Sequence, residues 1–181
     1  ISDPMTVRTN ILAIPGIRDP YVTDFAADLN KDYSMSIYLM DIPNYTEDGS
    51  RLFDDSSGRA GVTKTSEEFT RRNIDNNYAA TYFPDVVIKD NINNNRNIKV
   101  PASIAAVGAI SFSDRSKAGS VWFAPAGFSR GSLSGITNTT SRLTTQDRDD
   151  LYEARINPIA NFPADNPALV EYKIWGQKTL Q

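Results

Sequence analysis

Strand and helix signals alternate along this chain, which predicts an α/β fold with a largely parallel or mixed sheet flanked by helices. Three observations carry the prediction: a strand–helix–strand unit in the first forty residues, two later helix starts marked by capping boxes, and two closing strands. Residues 5–14 form the first strand, ending in the apolar run Ile11-Leu12-Ala13-Ile14, which Pro15-Gly16 breaks. Asp19 then stands at an N-cap position and Pro20 at the first helical position, a strong helix start. Tyr21, Val22, Phe25, Ala26 and Leu29 follow at helical spacing and make one apolar face. Residues 35–40, Met-Ser-Ile-Tyr-Leu-Met, read as a buried strand closed by Asp41-Ile42-Pro43. Together these make a βαβ unit, whose parallel strands require a right-handed crossover.

Residues 44–65 are polar and rich in Gly, Ser and Asp, and predict a long surface loop. The box Thr65-x-x-Glu68 predicts a short helix to residue 74. Residues 78–88 are strand-like, with Pro84 marking a bend or a sheet edge, and the Asn-rich residues 90–99 predict a loop. Pro101 opens a helix to about residue 113, whose Ala105, Ala106, Gly108 and Ala109 would let it lie close against a sheet. Residues 127–145 are rich in Gly, Ser and Thr and predict an irregular connection. Thr144-x-x-Asp147 starts a helix to about residue 155, and residues 156–162 and 168–175 are the last two strands.

Composition narrows function before any motif does. At 181 residues the chain is long enough for one domain that buries roughly 70% of its unfolded surface without disulfides or metals. Cys and His are both 0, which excludes zinc sites built from them, thiol nucleophiles and histidine acid–base chemistry within the chain. Lys+Arg 19 against Asp+Glu 22 gives a net charge of −3, the opposite of the basic balance that a phosphate-backbone binder needs. No apolar run approaches the roughly 18 residues of a membrane span, and Ile1-Ser2-Asp3-Pro4 has neither part of a signal peptide. The missing initiator Met points to a piece of a longer chain or a processed product, and the lack of Cys fits a reducing compartment.

Each candidate for chemistry has a structural explanation that outweighs it. Gly127-Phe128-Ser129-Arg130-Gly131 matches a hydrolase nucleophile elbow, yet no histidine exists to take the Ser129 proton. Asp41 ends the second strand where a ribose-binding acid would sit, but the turn Pro15-Gly16-Ile17-Arg18-Asp19 has one glycine where the dinucleotide fingerprint needs three. Asp54-Asp55 lacks the ligand alternation of a calcium loop. Asp147, Asp149 and Asp150, like Glu67 and Glu68, suit a solvated helix N-terminus. Asn44-Tyr45-Thr46 and Asn138-Thr139-Thr140 are glycosylation sequons with nothing beside them that speaks for secretion. Trp122, Phe123 and Phe128 flank Ala124-Pro125-Ala126-Gly127; without a basic groove they fit packing or a protein contact better than a single-strand nucleic-acid platform. Tyr172 and Trp175 read as strand residues covered by core.

Five blocks, taken in order, resemble the main domain of contractile tail sheath proteins of bacteriophages. Ile11 to Pro20 (Ile-Leu-Ala-Ile-Pro-Gly-Ile-Arg-Asp-Pro) resembles its opening. Tyr82-Phe83-Pro84 with Val86-Val87-Ile88 is similar to its aromatic-Pro strand, and Val100-Pro101-Ala102-Ser103 with Ala105-Ala106-Val107-Gly108 to its helix start. Val121-Trp122-Phe123-Ala124-Pro125-Ala126-Gly127 resembles its Val-Trp-Lys-Ala-Pro-Ala-Gly segment. Ala154-Arg155-Ile156-Asn157-Pro158-Ile159 and the stretch from Val170 to Trp175-Gly176-Gln177-Lys178-Thr179-Leu180 resemble its closing motif. Ala102, Phe123 and Ala164-Asp165 depart from the family's second proline, lysine and Pro-Gly turn.

The resemblance implies a subtilisin-like α/β sheath domain, catalytically empty, spanning residues 1–181 as a single unit with N-terminal inserted domains and a C-terminal region missing. It implies a non-enzymatic subunit with no cofactor and no metal, which stacks in hexameric rings as a helical tube around a tail tube protein. Contraction of that tube drives the inner tube through the host envelope for genome delivery. By the same resemblance the partners are other copies, the tail tube, the baseplate and the tail terminator, with no direct nucleic acid and no membrane insertion. The place is the virion tail, assembled in the host bacterial cytoplasm. In the family, flanking arms lace subunits by strand addition, so a piece lacking them is expected to be monomeric. Charged helix positions Arg71, Arg72, Asp147, Arg148 and Asp149 are candidate subunit contacts. The alternatives are the sheath of a related non-phage injection machine, such as a pyocin-like particle or a secretion system, and a degenerate hydrolase acting through Ser129.

Overall fold

The computed structural model describes residue 3 and residues 5–53, 57–115, 123–163 and 170–181. Its elements begin with β1 (Ile11–Ala13), α1 (Pro20–Tyr33), β2 (Ile37–Met40), β3 (Asn44–Tyr45), β4 (Arg51–Leu52), α2 (Val62–Arg71), β5 (Ala79–Phe83) and β6 (Val86–Asp90). They continue with β7 (Arg96–Val100), α3 (Ala102–Arg115), α4 (Gly127–Arg130), β8 (Ser132–Leu133), β9 (Ile136–Thr139), α5 (Thr145–Glu153), β10 (Ile156–Pro163) and β11 (Val170–Ile174). A six-stranded mixed sheet in the order β1-β2-β5-β10-β11-β8 forms the middle layer. Its first four strands are parallel, and β11 and β8 extend it antiparallel. The α/β expectation with a mixed sheet and flanking helices is met.

Strand periodicity explains the two cores. Alternate side chains leave opposite faces of a sheet, so strands covered on both sides read as nearly continuous apolar runs. Tyr38, Met40, Ala79, Phe83 and Ile156 enter the core beneath α1, α2 and α5, meeting Ala27, Phe69 and Leu151. Leu39, Ala80, Tyr82 and Ile159 enter the other, against Ala102, Ala106 and Ala109 of α3 and Val86 of a three-stranded sheet, β7-β6-β9. The small residues expected to bring α3 close do so, except that Gly108 faces solvent.

Helix α1 starts as its sequence dictates: the Asp19 carboxylate accepts from Tyr21 N–H at 3.0 Å and Val22 N–H at 3.3 Å. Its apolar face, however, is turned outward, with Tyr21 87%, Val22 46% and Phe25 66% exposed. The buried side is Thr23, Ala27, Asn30 and Tyr33. Polar partners select it: Asn30 Nδ2 donates to Ser36 O (2.8 Å) and Tyr78 O (2.9 Å), and Tyr33 Oη donates to Val7 O (3.0 Å). A buried amide with both donors satisfied costs little, so it competes with an apolar residue for the core position.

Six other expectations are corrected. The first strand covers only Ile11–Ala13 of residues 5–14. The loop at 44–65 contains the β3–β4 hairpin, and α2 begins at Val62 with Gly61 as its N-cap. Thr65 lies inside that helix, where its Oγ1 accepts from Tyr45 N–H (3.2 Å), so Thr65 and Glu68 form no capping box. Residues 78–88 are two strands in different sheets, separated at the cis Phe83–Pro84 bond. Residues 90–99 are half strand: Asn94 and Asn95 take φ of 56° and 55° in the turn, a conformation asparagine tolerates, and β7 then pairs along β6. Residues 127–145 likewise contain α4, β8 and β9.

The second predicted capping box is present. Thr144 Oγ1 accepts from Asp147 N–H (3.2 Å), and the Asp147 carboxylate accepts from Thr144 N–H (2.7 Å). Thr144→Ala is expected to lower stability by about 1 kcal/mol. A urea midpoint that falls with an unchanged denaturant slope would show it, and an unchanged midpoint would refute it.

Candidate functional site

In open α/β sheets ligands bind at the carboxyl ends of the parallel strands. Here that region is closed by buried ion pairs and hydrogen bonds. Asp41, one residue past β2, accepts from Gly16 N–H (3.0 Å), Ser103 N–H (3.2 Å) and Ser103 Oγ (2.8 Å). It thereby ties the β1–α1 turn to the start of α3. Burial pushes the Asp41 carboxyl above its ordinary value, against the pull of those hydrogen bonds and of Arg18. Arg18 donates to Ile42 O (3.0 Å) and to Asp85 Oδ2 (2.8 Å), which also accepts from Asn44 Nδ2 (3.2 Å). A cavity of about 330 Å³ lies alongside, lined by Pro15, Gly16, Arg18, Asp85 and Lys99 among others. The Gly16 N–H that a pyrophosphate would require is already given to Asp41. The strand-end reading of Asp41 fits this geometry.

Ser129 rides on α4, a single exposed helical turn entered from extended Ala126. Among the described residues no strand leads into it, residues 123–126 being irregular, and the strand-to-helix geometry of a nucleophile elbow is not seen there. Among the described residues no group of three His, Cys, Asp or Glu side chains could hold a metal ion, and no described helix is long and apolar enough to cross a membrane. Asp54 and Asp55 lie outside the described residues.

Four of the five charged candidates fall on two neighbouring helices, α2 and α5, which pack against each other, and Arg72 is the C-cap of α2. Arg71 is exposed and pairs with Glu68 (2.7 Å) one turn earlier. Arg72 turns inward: its guanidinium pairs with Asp24, donates to Thr23 Oγ1 (2.8 Å) and lies 5.5 Å from the Phe69 ring centre. Asp147 completes the capping box, and Asp149 is exposed. Arg148 donates to Thr145 Oγ1 (2.9 Å) and lies over Phe162 (5.1 Å) and Trp175 (5.7 Å).

Those two rings belong to an aromatic cluster that sequence reasoning did not assemble. Phe128, Phe162 and Trp175 have ring centres 4.8–5.0 Å apart in edge-on and tilted contacts. Trp175 stands just past β11, half-buried in this cluster, while Tyr172 is buried as expected. Lys173 Nζ donates to Phe128 O (2.8 Å) and pairs with Glu171 (2.7 Å). Arg130 lies 3.9 Å over the Phe123 ring. The cluster draws on β10, β11, α4 and α5, elements far apart in sequence, so only the Phe123–Phe128 stretch could signal it. Trp122 lies outside the described residues.

No protein-family model matches the chain. In sequence it is similar to the tail sheath protein of Vibrio phage KVP40, 29% identical over 126 residues, a match that takes in 70% of this chain and 16% of that relative. In structure it is similar to a chain in the six-fold symmetrised cryo-EM structure of the anti-feeding prophage baseplate, with a TM-score of 0.59 and 20% identity. That match covers 96% of this chain and 38% of the other, and at such identity it is a likeness of fold. The chain therefore spans well under two thirds of either protein. The likeness to tail sheaths read from its sequence blocks has its counterpart in a curated relative of that kind.

Proposed function

We propose that this chain is the conserved sheath domain, one part of a longer subunit, of a contractile tail sheath: a non-enzymatic structural unit that self-associates around a tail tube. The observation that carries the reading is the match of 70% of the chain to a phage tail sheath protein. The fold supports it physically. Contraction requires subunits that move as rigid bodies and exchange one set of interface contacts for another. Two cores on either side of one sheet, stapled at the strand ends by Asp41, Arg18 and Asp85, suit the rigid part. The work then comes from the difference between two sets of subunit interfaces. Arg71 and Asp149 are exposed to make such contacts, and Arg72, Asp147 and Arg148 shape the same α2–α5 surface.

On this reading the partners are further copies, the tube protein, the baseplate and the tail terminator, and the place is the virion tail, assembled in the host bacterial cytoplasm. The fold's likeness to a chain of the anti-feeding prophage baseplate leaves a related non-phage machine as the second setting. Negative-stain electron microscopy of the complete gene product, alone and with its tube protein, tests the proposal. Hollow tubes or stacked rings with six-fold end views are expected, shortened or lost on Arg71→Glu with Asp149→Lys. A product that stays monomeric with its tube protein overturns it.

A further inference from the structure

Two exposed patches at opposite ends of the six-stranded sheet differ in charge and share aromatic character. The first is the outward stripe of α1, which packs on β2 and β5. Tyr21 and Phe25 lead the stripe, and Asp28 and Asp32 follow at the same helical spacing, both exposed. Asp24, beside them, already pairs with Arg72. The second patch surrounds α4, which packs on β11 and β8. Phe128 is 62% exposed although it caps the aromatic cluster, Phe123 is 50% exposed, and Arg130 is exposed over Phe123. Strand β11 stands three spacings from β2, about 14 Å across the sheet. The first patch carries the two exposed carboxylates of Asp28 and Asp32; in the second Lys173 is paired with Glu171, so among the described residues Arg130 supplies the exposed charge that no carboxylate pairs.

We propose that the occupant of each patch is a second copy of this chain, the α1 stripe of one seated on the α4 patch of the next. Charge decides the pairing. Two α1 stripes brought together would oppose Asp28 and Asp32 with their own copies, and two α4 patches would oppose Arg130 with Arg130; like charges facing each other are penalised. The unlike pairing joins carboxylates to a guanidinium and stacks exposed rings. Because the joined patches differ, the contact is head-to-tail and repeats as a ring or a helix. The inference rests on the sheath reading and deepens it by naming the surfaces that meet.

A chain with no cysteine allows a direct test. Val22→Cys and Ser129→Cys each place one thiol at an exposed position within its patch. The two 181-residue variants are mixed and oxidised at about 1 mM, a concentration that populates even a millimolar contact. Mixed disulfide dimers are expected to exceed either same-variant dimer at least about fivefold, and Arg130→Glu on the Ser129→Cys copy to cut their yield about tenfold. Asp28→Arg with Asp32→Arg on the Val22→Cys copy is expected to restore it. Predominance of same-variant dimers, absence of cross-links at this concentration, or indifference to Arg130→Glu would each overturn the contact. The same cysteines in the complete gene product separate the two proposals: tubes without the mixed cross-link sink this contact and keep the sheath, whereas cross-linking without tubes keeps the contact and sinks the sheath.

Discussion

Replacing Asp85 by alanine is expected to destabilise the chain by about 1.5–3 kcal/mol, because it removes a buried carboxylate that two side chains, Arg18 and Asn44, both bond. Asp85 holds Arg18 at 2.8 Å with both side chains nearly out of solvent, and it also accepts from Asn44 Nδ2. Lys99, at 3.9 Å and more exposed, is a second cation at the outer limit of an ion pair with the same carboxylate. The intact pair is weak evidence of net stabilisation, since desolvating two charges offsets most of their attraction. Removing one partner is different: Arg18 keeps its bond to Ile42 O but loses the bond to Asp85, and the Asn44 amide loses an acceptor, in a place water reaches poorly. A double variant, Arg18→Ala with Asp85→Ala, should therefore be less damaging than the two single losses added, with a coupling of about 1–3 kcal/mol. Urea unfolding of the four proteins measures both quantities. A loss below about 1 kcal/mol for Asp85→Ala would mean that the remaining contacts of Arg18 and Asn44 suffice, and that this node does not stiffen the strand ends.

Where local chemistry decides the structure, the sequence was readable. Asp19-Pro20 and Thr144-x-x-Asp147 each start a helix with the hydrogen bonds their residue types predict. The apolar runs of β2 and β5 read as buried because both faces of the sheet are covered. Local chemistry misled wherever a distant partner chose the outcome. Thr65 looks like a cap, but the Tyr45 N–H recruits its hydroxyl, and the helix starts four residues earlier than a Thr65 cap would place it. The asparagines of 90–99 look like loop, yet only the turn uses them, and β6 supplies the pairing that makes residues 96–100 a strand. Helix α1 is the plainest case. Its periodicity is correct, but its buried side is polar, since Asn30 and Tyr33 find carbonyls in segments that no local window reveals. The interface candidates divide the same way. Arg71 and Asp149 remain on the surface, while Arg72 is drawn inward by Asp24 and Thr23, residues nearly fifty positions away.

Leu180→Ala is expected to cost about 3 kcal/mol, near the middle of the range for a fully buried leucine. The residue lies past β11, in a segment outside every named helix and strand. Here the backbone is held from three sides: Leu180 N–H donates to Ala79 O (3.0 Å), Asn76 N–H donates to Leu180 O (3.2 Å), and Arg155 Nη1 donates to the same oxygen (3.0 Å). Asn157 fixes the preceding turn, accepting from Lys178 N–H at 2.6 Å and donating to Lys178 O at 2.8 Å. The leucine side chain is buried in the core shared by α1, α2 and α5. Truncation leaves a cavity there, and the neighbouring hydrogen bonds limit how far the core can collapse to fill it. If the segment folds with the core, the amide of Leu180 should exchange hydrogen only through global unfolding, and Leu180→Ala should lower protection across β5 and α5 together. A loss under 1 kcal/mol, or exchange at Leu180 far faster than at β5, would instead make the last residues a separately opening unit. On the sheath proposal the difference is decisive: strain passed along this segment reaches the main sheet only if the segment cannot peel away first.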